Sequence, residues 1–144
     1  MYEYDIAFRE SLEYFLGDDL AANVFVTKYA LQSDNGEYLE KSPDDMHRRL
    51  AKEFARIEKK YDNPMSESEI YDLFKNFKYV IPQGSPMSGI GNSNKVQSLS
   101  NCFVIESPYD SYGRILKTDQ EQVQIMKRRG GVGFDTSSIR PKGI

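Results

Sequence analysis

The sequence predicts an α/β protein in which a helical amino-terminal region, residues 1–79, leads into a strand–helix–strand unit in residues 80–144. Three observations predict it. Apolar residues recur at helical spacing through the first region, between recognisable helix starts. After Tyr79 the pattern changes to short apolar runs separated by stretches rich in glycine and serine. The apolar runs then fall in the order strand, helix, strand, which is the order of a parallel βαβ unit.

In the helical region, Ile6, Phe8, Leu12, Phe15 and Leu16 define the first run, and Gly17 ends it. Leu20, Val24, Phe25, Tyr29 and Leu31 define the second. Ser33-Asp34-Asn35-Gly36 is turn chemistry, since Asn-Gly readily supplies positive φ. Ser42 reads as an N-cap with Pro43 in the first helical position and Asp45 three residues past the cap. The helix that follows should run to about Tyr61 and bury Met46, Leu50, Phe54 and Ile57. Asn63-Pro64 breaks it, and Ser66 with Glu69 forms a capping box for a helix burying Ile70, Leu73, Phe74 and Phe77. His47, between Asp45 and Arg48-Arg49, reads as part of a solvated helix flank.

In the second region, Tyr79-Val80-Ile81-Pro82 reads as a short extended run, followed by a polar loop over Gln83 to Ser98. Leu99 to Ile105 reads as a buried strand ended by Pro108. Thr118 and Glu121 suggest a capping box for a helix through Val123, Ile125 and Met126, with Lys127-Arg128-Arg129 in its last turn. Gly130-Gly131 terminates it and Val132-Gly133-Phe134 starts a second strand. A parallel pair alone leaves edges and a face uncovered, so further polypeptide is expected around it.

Composition narrows the function. The chain has 144 residues, a formal charge of -3, one Cys, one His and no Trp. That charge offers no general attraction to nucleic acid or to a membrane surface, and no apolar run approaches the ~20 residues a bilayer span needs. The start, acidic and basic inside its apolar pattern, is not a signal peptide, and a lone cysteine makes no internal disulfide, so the cytoplasm is the expected compartment. No zinc-type ligand cluster is present, and nothing in the spacing brings Cys102 to His47. Metal sites are therefore not expected.

Chemistry, if the chain carries any, centres on Ser98-Leu99-Ser100-Asn101-Cys102-Phe103-Val104-Ile105. A strand thiol is more often an inert small hydrophobe, yet two hydrogen-bonding residues directly before it are unusual for a purely apolar strand. The upstream glycine-serine stretch from Gln83 to Ser93 is either a plain connection or a backbone cradle for phosphate. Arg129-Gly130-Gly131-Val132-Gly133 follows a helix instead of opening one, so it is neither a P-loop nor a dinucleotide fingerprint. Its plain reading is a helix C-cap with a close backbone approach.

The string Ser98 to Ile105, then Asp110-Ser111, then Met126-Lys127-Arg128-Arg129-Gly130-Gly131-Val132-Gly133-Phe134, then Ile139-Arg140-Pro141-Lys142-Gly143, resembles the catalytic core of ribonucleotide reductase large subunits. Val80 to Gly89 is similar to the loop before the cysteine strand in that family, and Lys28-Tyr29-Ala30-Leu31 is compatible with its helical region. The resemblance implies a helical flank followed by the first βαβ portion of a ten-stranded barrel. In that family a thiyl radical on a central finger loop abstracts the ribose 3′ hydrogen, and a cysteine pair reduces the sugar as the 2′ hydroxyl leaves. Cys102 matches one member of the pair. Ser100 and Asn101 match substrate contacts, Gly84 and Ser85 match the loop holding the substrate phosphates, and Gly131 is placed with them. Asp110, Ser111, Tyr112 and Arg140 match the site of the specificity effector, a deoxynucleoside triphosphate or ATP. Read without the resemblance, Asp110 is a turn or cap residue and Arg140 a surface charge.

The resemblance further implies partners: the remainder of the catalytic subunit, a thioredoxin-like reductant, a nucleotide substrate, and a second copy in a homo-oligomer. The radical would come from adenosylcobalamin, slightly preferred, or from a separate metal-radical subunit; neither group is expected to bind these residues alone. An amino-terminal ATP-cone is not expected, and the stop after Gly143 suggests a split gene, an intein-interrupted protein or a truncated chain. Two rivals stand beside this reading: a non-catalytic nucleotide-binding or regulatory module of the same fold, and a helical interaction domain with a fortuitous thiol.

Overall fold

A computed structural model describes residues 1–144, which divide into two compact units, Met1–Lys95 and Val96–Ile144. The first unit is helical: α1 Tyr4–Tyr14, α2 Asp19–Lys28, α3 Pro43–Glu58, α4 Glu67–Phe74, a 3-10 turn at Lys75–Phe77 and a short α5, Gly84–Gly89. α1 packs on α2 and α3 on α4, around Ala7, Phe25, Val26, Met46, Leu50, Ala51, Ala55, Ile70 and Phe74. Side chains as large as Met46 and Leu50, with no exposed surface, each contribute about 1.5–3 kcal/mol by leaving water.

Local chemistry accounts for most boundaries. α1 ends where Leu16 and Gly17 take positive φ and the Gly17 N–H returns to the Leu12 carbonyl at 2.9 Å. Asp18 caps α2 by accepting from the Ala21 N–H at 2.9 Å. Gly36, at φ 83, closes the turn after Asp34 and Asn35, which lets Tyr38 bridge to both Tyr2 and Gln32. Ser66 and Glu69 form the reciprocal capping box at α4.

Several expectations are corrected. Ser42 sits at the N-cap of α3 but its hydroxyl makes no cap bond; the Asp45 carboxylate reaches back to the Lys41 N–H at 3.0 Å instead. The buried face of α3 is Met46, His47, Leu50, Ala51 and Ala55, while Phe54 is exposed, because the neighbouring helices approach the alanine side closely. His47 is no solvated flank: it has no exposed surface. Tyr79 to Pro82 forms no strand, and the polar loop after it contains α5. α5 belongs with the helices, so the compact units part at Lys95, beyond the change of character at Tyr79.

The second unit is β1 Cys102–Val104, α6 Tyr112–Met126 and β2 Gly131–Gly133. The strands are parallel, with Cys102 opposite Gly131, Phe103 opposite Val132 and Val104 opposite Gly133, as expected of a βαβ unit. β1 is shorter and more exposed than the sequence implies, with Val104 92% exposed. α6 starts earlier than the Thr118–Glu121 signal suggests. Ser111 is its N-cap, accepting from the Arg114 N–H, and Thr118 lies buried mid-helix. Lys127, Arg128 and Arg129 fall just past its end, where Arg129 takes φ 68 and Gly130 closes the turn. A Cβ on Gly130 would stand 2.5 Å from Ile125 Cγ2 and 2.7 Å from the Phe103 ring. No side chain fits there, which is how α6 settles so closely on the strand pair.

Candidate functional site

In the second unit, Cys102 opens β1 as a free, exposed thiol. Its backbone lies across from Gly131, whose N–H donates to the Asn101 carbonyl at 2.6 Å. A Cβ at Gly131 would stand 3.1 Å from that carbonyl, so glycine keeps the ground beside the thiol open. Ser100 sits just before, its N–H bonded to the Ser98 hydroxyl at 3.0 Å, and the Ser98 N–H reaches the Arg128 carbonyl. The end of α6 thus fixes the approach to the strand, and Ser100, Asn101, Cys102 and Gly131 are brought together. An exposed thiol on a fixed backbone is open to thiol–disulfide exchange with a disulfide partner; a buried one is not.

A second constellation forms at the other end of α6. Arg140 Nε donates to Asp110 Oδ2 at 2.6 Å, across the helical crossover. Asp110, Ser111 and Tyr112 lead into α6, and together with Ile115, Arg140, Pro141 and Lys142 they line a cleft of about 440 Å³. Arg140 and Lys142 bring positive charge, and a helix N-terminus adds a favourable field for an anion. Asp110 brings an acceptor suited to a hydroxyl. The sequence singled out four of these residues; Ile115, Pro141 and Lys142 were missed, although Pro141 and Lys142 lie in the string that carried the resemblance. Arg114, one turn into α6, pairs instead with Glu106 and lies over the Tyr109 ring.

In the first unit, Gly84 and Ser85 open α5. Ser85 is buried, and a Cβ on Gly84 would stand 3.1 Å from the Tyr29 ring. Sequence reasoning missed the pair that holds this segment: Arg49 and Glu40, both nearly buried, joined at 2.6 Å. Nothing in their spacing signals it, since the partners lie on either side of a helix start. No three His, Cys, Asp or Glu side chains converge where a metal ion could be held. No helix is long and apolar enough to cross a membrane.

A helical unit followed by a parallel βαβ unit with an exposed strand cysteine defines the class: a helical domain followed by the beginning of a parallel α/β domain. Residues 15–92 match the family described as ribonucleotide reductase, all-alpha domain, and residues 100–144 match ribonucleotide reductase, barrel domain. The chain belongs to the ribonucleotide reductase large-subunit family, a family of oxidoreductases. No curated protein matches it.

Proposed function

We propose that Cys102 is one of the two thiols that reduce the ribose, and that the chain works as part of a ribonucleotide reductase catalytic subunit. The observation that carries this is the exposed thiol at the head of β1, opposite a glycine, in a chain of this family. In the net reaction two thiols and a ribonucleotide give a disulfide, a deoxyribonucleotide and water. The 2′ carbon–oxygen bond breaks, a carbon–hydrogen bond replaces it, and the two electrons come from sulfur. Another dithiol, thioredoxin-like, then reopens the disulfide by exchange.

On this reading a thiyl radical starts the chemistry at the 3′ hydrogen, and its source lies outside these residues: adenosylcobalamin or a metal-radical partner subunit. The second thiol also comes from elsewhere, because Cys102 is the chain's one cysteine. Ser100, Asn101 and Gly131 contact the substrate beside the thiol, and Gly84 and Ser85 serve its phosphates. The cleft at Asp110, Ser111, Tyr112 and Arg140 takes a deoxynucleoside triphosphate or ATP, with Arg140 on phosphate and Asp110 on a sugar hydroxyl.

The rival reading, a regulatory module that binds nucleotide without turning over, rests on the cleft at Asp110, Ser111, Tyr112 and Arg140. Substituting Cys102→Ser in the assembled subunit separates the two. We expect reductant-dependent multiple turnover to disappear while effector binding persists. Full multiple turnover by C102S with a dithiol reductant refutes the assignment.

A further inference from the structure

α5 is a helix that its own sequence cannot sustain. Its six residues, Gly84 to Gly89, include two glycines, two serines and a proline. Isolated helices far longer than this are marginal in water, and glycine and proline are the poorest helix formers. Something outside α5 must hold its shape, and the structure shows what does so at each end.

At the first turn, the Tyr29 ring lies against Gly84 with no room for a side chain larger than hydrogen to enter without displacement. At the last turn, the Arg49 guanidinium donates through Nη2 to the Met87 carbonyl at 2.7 Å, and through Nη1 to the Ile90 carbonyl. These are carbonyls that a helix end leaves without partners of its own. Gly91, at φ +73, lets the chain pass close beside the arginine: a Cβ there would stand 2.9 Å from Arg49 Cγ. The same guanidinium is gripped from behind. Its Nε donates to Glu40 Oε1 at 2.6 Å, and Glu40 Oε2 also accepts the Leu31 N–H at 2.8 Å. The side chains are only 11% and 5% exposed.

A neutral donor would satisfy two carbonyls, and a nearly buried ion pair is poor evidence of extra stability. What the pair adds is direction. A planar guanidinium held on one edge by a carboxylate has its remaining N–H bonds aimed at fixed angles. We infer that Glu40 and Arg49 are positioning residues, which set the place and orientation of the Gly84–Ile90 segment against α3 and the Leu31 backbone. The inference rests on the reading above that Gly84 and Ser85 serve the substrate phosphates. Its consequence is that substrate affinity depends on two side chains that never touch substrate.

The test compares Arg49→Met, which keeps the stem and loses the fork, with Glu40→Gln, which keeps the shape and loses the charge. Hydrogen exchange of the chain itself reports the clamp, and steady-state kinetics of the assembled subunit report its use. Both variants should speed exchange over residues 84–91 while α3 and α4 keep their protection. KM for the ribonucleotide should rise roughly tenfold to hundredfold, the value of one charge-assisted phosphate contact, with kcat changed much less. Arg49→Lys, with charge but no fork, should restore exchange protection only in part. Unchanged exchange over 84–91 in Glu40→Gln overturns the clamp. Faster exchange with unchanged KM overturns the phosphate-loop reading on which the inference rests. Global loss of protection in both variants, α3 included, overturns it too, because the pair is then part of the general core.

Discussion

His47 has no exposed surface, and neither ring nitrogen has a hydrogen-bond partner. Its neighbours are rings: Phe77 edge-on at 4.5 Å, Phe74 stacked at 6.3 Å and Tyr14 at 6.4 Å. Burial among them pushes its pKa down from 6.5 to about 4, partly offset by the Asp44 carboxylate. The unfolded chain therefore binds a proton between pH 6.5 and 4 that the folded chain refuses. Stability is full above that window and falls as pH drops through it, by on the order of 3 kcal/mol. Asp44, held below its ordinary value by Tyr71 and Arg48 against the cost of burial, adds a loss further into acid. Replacing His47→Leu should flatten the dependence between pH 6.5 and 4, measured as urea-unfolding free energy against pH. An equal slope in the variant would show that other groups drive it. This burial was not legible in the sequence. Flanked by Asp45, Arg48 and Arg49, the residue looks solvated, and it becomes core because Tyr14 of α1, Phe74 of α4 and Phe77 of the 3-10 turn all close on it.

The elements differ in how plainly they were written. α4 was legible because a capping box is a reciprocal pair of local bonds, complete within four residues. α6 was expected to open at Thr118, but its N-cap is Ser111 and Thr118 lies buried within the helix. α5 has no periodic signal at all; contacts with distant residues make it helical. The corrected start of α6 matters for chemistry, because it puts Asp110, Ser111 and Tyr112 at a helix N-terminus and brings Arg140 to them across the crossover. Arg140→Ala should therefore weaken triphosphate binding by the value of a charge-assisted contact, about 1.5–3 kcal/mol, or roughly tenfold to hundredfold in Kd. Substrate choice should blur with it while basal turnover stays. Direct titration of the chain with a deoxynucleoside triphosphate checks the first part, and unchanged affinity would remove Arg140 from the site.

The strand–helix–strand order, the parallel pairing and the helical flank were all readable, because each follows from period and sequence order. Which surfaces are covered was not, since that depends on neighbours beyond any short window. Val104 is 92% exposed, and along one side of α6 Tyr112, Leu116, Val123 and Met126 are 88%, 64%, 59% and 53% exposed. These four recur at helical spacing, so they form one apolar stripe facing away from the strand pair. Each such side chain left in water forfeits about 1.5–3 kcal/mol against a net stability of about 5–15 kcal/mol for a typical domain. We expect the second unit to be well protected only when something covers it: the remaining barrel sequence over the strands, or a second copy over the stripe. The helical unit carries most of the helix, so circular dichroism would miss the difference. Hydrogen exchange over residues 99–105 and 131–134 would not. In a dilute monomeric sample these amides should exchange orders of magnitude faster than those around Met46 and Leu50, and they should slow when the catalytic subunit is completed. A rise in protection with concentration alone, paralleled by dimer formation in sedimentation, would assign the covering role to a second copy. Strong protection in a demonstrated monomer with nothing added would show that two three-residue strands and one helix suffice, and the idea would fall.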